Sequence, residues 1–159
     1  MMMNTDVTIE LSQNSLANSQ IVQNILSDLP EWFGLPESTQ SYVDEAKSLP
    51  LWVAKIQGKP IGFIDLNETS SGTAEISCMG VLKQHQHLGI GTQLVAELTK
   101  FAKTRYQYLQ VKTVDEGHYR QYDDTIRFYE SVGFTRLEVF PHLWDEWNPC
   151  LIMVKYLGS

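Results

Sequence analysis

The sequence of 159 residues has few cysteines, an excess of acid over base, and no long apolar run. Its two cysteines, Cys78 and Cys150, lie in apolar, strand-like stretches, where isolated cysteines are more often buried thiols than disulfide partners or metal ligands. The 12 basic residues stand against 19 acidic ones, which gives a formal net charge of -7. This balance argues against nucleic acid as the main partner and is compatible with a cationic substrate.

No apolar stretch reaches the ~20 residues that a membrane-spanning helix needs, so we expect no membrane partner. Residues 1–10 contain neither a basic region nor an apolar core, and we therefore expect no secretory leader. The content of 43% hydrophobic and 11% aromatic residues is that of a globular protein. We expect one domain, 1–159, with a substantial core and a cytoplasmic location.

The apolar periodicities predict seven strands and four helices. The predicted strands cover residues 7–11, 51–56, 61–67, 73–81, 108–114, 134–140 and 150–156. The predicted helices, the first two capped by Ser19 and Ser38, cover residues 20–29, 38–48, 93–106 and 124–132. We expect residues 115–123 to form a loop. This order predicts an α/β (mixed α+β) fold with a central, mostly antiparallel mixed sheet flanked by the four helices.

A polar turn separates the apolar run 76–81 from the third helical pattern, and Gly89 and Gly91 stand where that helix should begin. The N–H groups at a helix start lack intrahelical partners and carry the positive end of the helix dipole. Glycines allow an anion to approach these groups closely, so the turn predicts a phosphate-binding site. The alternative is a helix start whose glycines serve only packing. The spacing matches neither a P-loop nor G-x-G-x-x-G.

The spacing Gln86-x-x-Gly89-x-Gly91 resembles the acetyl-CoA signature Gln/Arg-x-x-Gly-x-Gly/Ala of the GNAT N-acetyltransferase superfamily. Ala74–Val81 and Thr125–Phe134 resemble two further family segments, and the element order resembles the GNAT fold from residue 7 to 156. The resemblance implies acetyl-CoA as co-substrate. It implies no metal, and His85 with His87 lacks an obvious third ligand. The residues implied to bind the coenzyme are Met79, Gly80, Val81, Gln86, His87, Leu88, Gly89, Ile90, Gly91, Thr92, Asp124 and Phe128.

The same resemblance implies that Tyr129 is the general acid. Amide formation from a thioester expels a thiolate, to which a positioned phenol can give a proton. Adjacent residues on a helix point about 100° apart, and we expect Phe128 in the core and Tyr129 in the site. The alternative is that both rings only pack against the sheet.

The family often places its general base where Glu75 lies. Strand alternation puts Glu75, Ser77 and Met79 on one face unless a bulge intervenes. A partly buried carboxylate can take the proton of an amine directly or through water, although an exposed surface charge is the alternative. The resemblance also implies a bulge over Met79–Val81, with Gly80 the natural bulge residue, whose N–H groups bind the pantetheine arm and the oxyanion.

Aromatic residues of two polar loops and of the second predicted helix are candidates for the acceptor-binding wall, since aromatic walls suit cations and apolar groups. These candidates are Trp32, Phe33, Tyr42 and Trp144. Core packing is the alternative for each tryptophan. The chain departs from the family pattern at Tyr122, where asparagine is common. The polar contact to pantetheine that the family usually makes from this position is then assigned to Asp124 or to a tyrosine of residues 115–123.

These features predict an acetyl-CoA-dependent N-acetyltransferase that acts by direct attack in a ternary complex. The expected acceptor is a primary amine, carried by a small molecule. The alternatives are an acetyltransferase for a protein amine, a non-catalytic acyl-CoA-binding sensor of the same fold, and an interaction protein on this scaffold. A homodimer is left open.

Overall fold

The computed structural model describes residues 6–158, in which seven strands and four helices follow one another along the chain. The strands are β1 Val7–Ser12, β2 Leu51–Ile56, β3 Lys59–Glu68, β4 Thr73–Val81, β5 Tyr108–Val114, β6 Thr135–Phe140 and β7 Cys150–Tyr156. The helices are α1 Ser15–Ser27, α2 Pro36–Glu45, α3 Ile90–Lys103 and α4 Arg120–Ser131. No helix in this described range is long and apolar enough to cross a membrane. The expectation about a leader falls partly on residues 1–5, outside the described range.

The strands are hydrogen-bonded in the order β1-β2-β3-β4-β5-β7-β6. β1–β2, β2–β3, β5–β7 and β6–β7 pair antiparallel, and β4–β5 pairs parallel. The predicted mostly antiparallel mixed sheet with four helices is therefore confirmed. The chain divides into two compact units. The first unit comprises residues 6–67 and 76–101, the second comprises residues 68–75 and 102–158, and β4 contributes to both.

The core of the first unit forms where the apolar faces of α1 and α2 meet alternate residues of the strands. Its buried members are Val22, Ile25, Leu26, Leu29, Val43, Ala46, Leu51, Val53, Phe63 and Cys78. Trp52 lies in β2 between two of these core residues, and its ring meets that of Phe101 in α3 edge to face, with the centroids 5.3 Å apart. Successive residues of β2 therefore make apolar contacts on opposite faces of the strand.

In the second unit, β5 and β7 are paired over their whole lengths, from Tyr108↔Tyr156 to Val114↔Cys150. Strand β6 lies at the end of the strand order, next to β7. Helix α4 ends before Gly133, whose φ of 102° is left-handed and favours glycine. Helix α4 carries Tyr129, and β5 pairs with the start of β4, which carries Glu75.

The first two helices begin earlier than predicted. The side chain of Asn14 accepts the N–H of Ala17 at 3.0 Å, so α1 is capped by Asn14 and the predicted cap Ser19 lies inside the helix. The second helix begins at Pro36, whose fixed φ suits the first helical turn, and Ser38 therefore also lies inside a helix. Both capping predictions were wrong: Asn14 and Pro36 also carry helix-start signals, and the helices begin there, a few residues upstream of the predicted caps.

Asp65 is a buried acid in the middle of β3, with a side chain 1% exposed. Its Oδ1 accepts the backbone N–H of Cys78 at 2.9 Å. Burial raises the pKa of Asp65 to about 7, an effect that this N–H opposes and the nearby Glu45 reinforces. Since the folded pKa lies above the ordinary 3.8, folding binds a proton. The contribution of Asp65 to stability is therefore complete below about pH 4 and is lost as the pH rises towards 7.

Replacing Asp65 with asparagine should remove this pH dependence. Between pH 5 and 7, the free energy of unfolding of the wild type should fall relative to that of Asp65→Asn by roughly 1 kcal/mol per pH unit. Urea unfolding of both proteins at several pH values measures the difference, and the other titrating groups cancel in the comparison. Parallel stability profiles for the two proteins would show that Asp65 has an ordinary pKa in the folded state.

Candidate active site

The predicted phosphate-binding turn lies in the first unit, between β4 and α3. Gly89 has a φ of 81°, a left-handed conformation that favours glycine. Its carbonyl accepts the N–H of Gln93 at 3.1 Å, which is the first hydrogen bond of α3. The N–H groups of Ile90, Gly91 and Thr92 therefore lie in the first helical turn, where no intrahelical acceptor exists. The arrangement suits the binding of an anion.

Space and backbone geometry at this turn agree with that role. Apart from its chain neighbours, no heavy atom of the described residues lies within 4 Å of the position that a Cβ would take at Gly89. His87 has a φ of 65° and is the second left-handed residue of the turn. The Gln86 Nε2 donates to the carbonyl of Val81 at 3.0 Å and so ties the turn to the end of β4. The exposed Leu88 completes the turn.

Lys83, which precedes the turn, is engaged by two acids of the first unit. Its Nζ pairs with Glu31, and its backbone N–H donates to Asp28 Oδ2 at 2.8 Å. The hydrogen bond from Lys83 lowers the pKa of Glu31. The ammonium group of Lys83 therefore links the start of the turn to the segment after α1, which carries the aromatic candidates.

Three predicted acceptor-binding residues come together in the first unit. Trp32, Phe33 and Tyr42 are partly buried and pack against the core between α1 and α2. The rings of Phe33 and Tyr42 meet edge to face, with centroids 5.8 Å apart. Trp144 lies in the second unit, in the loop between β6 and β7, and is 45% exposed. The core-packing alternative is therefore wrong for Trp144, whereas Trp32 does pack against the core.

Tyr129 is buried in the second unit, with 8% of its surface exposed. Its ring lies edge to face with those of Phe128 and Phe134, at centroid distances of 5.4 and 5.5 Å. Phe128 is only half-buried. The prediction that Phe128 is the core residue was wrong, because Ile126 and Tyr129, three positions apart, share the buried face of α4.

The loop before α4 is shorter than predicted, because α4 begins at Arg120. Asp123 lies in the first turn, where an acid is favoured by the helix dipole, and its Oδ1 accepts the N–H of Gly117 at 2.9 Å. Tyr122 thus lies on a helix, and burial raises its pKa. Asp124 pairs with Arg127 at 2.7 Å on an exposed surface. A role of Tyr122 or Asp124 in coenzyme binding stays a prediction.

Glu75 lies in the first part of β4, which pairs in parallel with β5. Its side chain is 14% exposed, and its Oε1 lies 3.2 Å from Lys112 Nζ. Gln110, its register partner on β5, donates to the same oxygen at 3.5 Å. The exposed-charge alternative for Glu75 is therefore wrong: the carboxylate is partly buried and paired.

The pairing of Glu75 with Lys112 and Gln110 was missed at the level of sequence. The alternation of β5 does indicate that Gln110 and Lys112 share one face, since the buried residues Leu109, Val111 and Thr113 alternate with them. The parallel register that brings this face to Glu75 is a tertiary property. In the described range, no group of three or more histidine, cysteine or acidic side chains could hold a metal ion.

The chain is similar to known proteins in sequence and in fold. Residues 47–136 match the model of the acetyltransferase (GNAT) domain. No curated protein matches the sequence. A GNAT-family protein from Desulfovibrio desulfuricans superposes with a TM-score of 0.82 at 21% identity, covering 96% of this chain and 100% of its own.

Two further solved structures cover the same share of this chain. Aminoglycoside 6'-acetyltransferase type Ii has a TM-score of 0.76 at 22% identity and is covered over 98% of its length. A GNAT-family acetyltransferase from Elizabethkingia anophelis, solved with acetyl-CoA bound, has a TM-score of 0.72 at 21% identity and is covered over 99%. Each covers 96% of this chain, so the fold is shared over nearly all of it.

The turn at Gly89 can be tested against a glycine of the same conformation elsewhere. Gly58, in the turn between β2 and β3, has a φ of 78° and equally open surroundings. Valine at either position should cost about 1–3 kcal/mol of stability through backbone strain. Only Gly89→Val should also weaken coenzyme A binding, by about tenfold or more, because its side chain would occupy the approach to the helix N–H groups.

Calorimetric titration of both folded variants with coenzyme A, next to the wild type, provides the measurement. Equal affinities for Gly89→Val and Gly58→Val would place the pyrophosphate elsewhere.

Proposed function

Because the chain belongs to the GNAT acetyltransferase family, we propose that it transfers the acetyl group of acetyl-CoA to a primary amine of a small molecule. The observation that carries the proposal is the left-handed Gly89 leading directly into α3, with open space where a side chain would stand. Such a helix start would bind the pyrophosphate of the coenzyme. The backbone of Met79–Val81 would bind the thioester arm.

The chemistry requires two proton transfers. The amine nitrogen attacks the thioester carbonyl, the C–N bond forms, and collapse of the tetrahedral intermediate breaks the C–S bond. Tyr129 gives its phenolic proton to the departing sulfur, and Glu75 takes the proton that the amine loses, directly or through water. Solvent then returns a proton to Tyr129 and removes one from Glu75. The products are an N-acetylated amine and coenzyme A with a free thiol.

The surroundings of Glu75 support a fixed orientation for this base. Lys112 and Gln110 both contact Oε1, and we assign the proton transfer to Oε2. The 14% exposure of the side chain leaves the carboxylate within reach of substrate or of one water.

The acceptor class follows from charge and from the aromatic cluster. Trp32, Phe33 and Tyr42 of the first unit would contact the acceptor. Trp144 of the second unit is a separate candidate for an acceptor contact. Aromatic faces attract cations, and the net charge of -7 favours a cationic partner. The name of aminoglycoside 6'-acetyltransferase type Ii states an amine-bearing small molecule as its substrate, which agrees with this class. The protein would act as a soluble cytoplasmic enzyme.

Removing the phenolic hydroxyl of Tyr129 tests the general acid. Tyr129→Phe should retain the ring contacts with Phe128 and Phe134 and the affinity for acetyl-CoA. Its turnover should fall by about 10²–10⁴-fold, the usual contribution of one general acid. Steady-state kinetics with the best acceptor of an amine panel measures the loss. Tyr156→Phe, in the same unit and 62% exposed, is the matched control, and equal turnover in the two variants would reduce Tyr129 to a packing residue.

Replacing Glu75 with glutamine tests the general base. The change is nearly isosteric, so the fold should persist while turnover falls by about 10²–10⁴-fold. In the profile of rate against pH, higher pH should restore part of the lost rate because more of the amine acceptor is already neutral. Glu68→Gln alters an exposed acid of the same unit and should leave the profile unchanged. A Glu75→Gln profile identical to that of the wild type would assign the base to another group.

A further inference from the structure

Asp65 is an acid where stability alone would favour an apolar residue. Both of its neighbours in β3, Ile64 and Leu66, are buried, as is Asp65 itself at 1% exposure. In the described part of the chain its Oδ2 has no hydrogen-bond partner. A buried carboxyl with incomplete partners costs free energy. Apolar replacements of buried charged groups are often neutral or stabilising, so the acid at position 65 calls for another explanation.

A hydrogen bond connects the Asp65 side chain to β4. Its Oδ1 accepts the N–H of Cys78 at 2.9 Å, and the preceding residue, Ser77, donates from its Oγ to Glu45 Oε2 of α2 at 3.1 Å. Two acids from two different elements thus hold neighbouring residues of β4. Hydrogen bonds from a backbone N–H to a carboxylate are short and strong. They fix the peptide between Ser77 and Cys78 more firmly than packing alone.

The fixed peptide adjoins the segment Met79–Val81. A Cβ on Gly80 would lie 3.1 Å from Ile25 and 3.2 Å from both Leu29 and Phe63. The backbone at Gly80 therefore lies directly against side chains of the core and has little room to move. The N–H of Cys78 that Asp65 accepts lies two residues before Gly80 on the same strand.

We propose that Asp65 is a positioning residue of the acetyl-transfer site. Through the N–H of Cys78 it orients the backbone of Met79–Val81 and touches no substrate itself. The proposal rests on the proposed function, which assigns the thioester arm to that segment. Burial raises the pKa of Asp65 to about 7, so both protonation states are populated near neutral pH. Oδ1 can accept the N–H of Cys78 in either state, provided that the proton of the neutral form is on Oδ2.

Two substitutions separate this role from general stability. Asp65→Asn keeps the volume and an acceptor oxygen for Cys78, whereas Asp65→Val keeps a small side chain and removes the acceptor. Asp65→Val should weaken acetyl-CoA binding by about tenfold or more and lower kcat, with an unchanged KM for the amine. Asp65→Asn should stay within about threefold of the wild type in both quantities. Calorimetry gives the affinity, and steady-state kinetics separates kcat from KM.

Val53→Ala is the control for stability. It removes packing from the same core and no hydrogen bond, so it should lower Tm and leave acetyl-CoA affinity and kcat unchanged. Asp65→Ala replaces Asp65→Val if the latter does not fold. Wild-type acetyl-CoA affinity and kcat in Asp65→Val, or in Asp65→Ala where that variant replaces it, would overturn the proposal. The proposal would also be overturned if Asp65→Asn lost as much affinity and kcat as the variant without the hydrogen-bond acceptor.

The outcome also separates this proposal from the proposed function. If the wild type binds acetyl-CoA and acetylates no amine, the proposed transfer is wrong, and the affinities of the Asp65 variants still decide the role of Asp65. If the wild type does not bind acetyl-CoA, both proposals are overturned.

Discussion

Strand β4 is the constraint on which the candidate site depends. Along it, Ile76, Cys78 and Gly80 are buried, and the residues between them are partly exposed. This two-residue repeat fixes which side chains enter the core and which remain available for chemistry. The start of β4 pairs with β5 in the second unit, and its end leads into the turn at Gly89. Glu75 and the backbone of Met79–Val81 therefore belong to one covalently continuous strand that is held at several points.

Asp65 in β3 and Glu75 in β4 carry the same chemical group, but their surroundings suit them to different roles. Asp65 is enclosed by the core, meets one N–H, and has its pKa raised to about 7. Glu75 contacts the ammonium of Lys112 and the amide of Gln110 and retains access to solvent. The first group is suited to holding backbone and the second to exchanging a proton with a substrate.

Local patterns predicted much of the fold. The bounds of β4, β5 and β7 agree with the predicted strands, since alternation and apolar runs are properties of adjacent residues. The turn at Gly89 was predicted for the same reason, because the need for a left-handed glycine before a helix is local. The starts of α1 and α2 were missed because the choice between Asn14 and Ser19, or Pro36 and Ser38, depends on which turn of helix is stabilised by packing.

The parts of the candidate site that depend on tertiary contacts could not be predicted. The register of β4 with β5 brings Lys112 to Glu75, and no local pattern encodes that register. Tyr129 is buried in preference to Phe128 because of the rotation of α4 about its own axis. Two adjacent aromatic residues in a sequence do not determine that rotation. Asp65 was not singled out from the sequence, because its partner at Cys78 is defined only by the pairing of elements within the first unit.

Acetyl transfer to an amine is tested most directly by incubating the protein with acetyl-CoA and a panel of amines. Free thiol and acetylated product are measured together, the product by mass spectrometry. The account predicts that one class of small amine yields thiol and N-acetylated product in equal amounts, and that neither forms without the protein. Saturable binding of acetyl-CoA with no amine-dependent thiol release across polyamines, amino sugars and peptide amines would contradict it and favour a binding role for the fold.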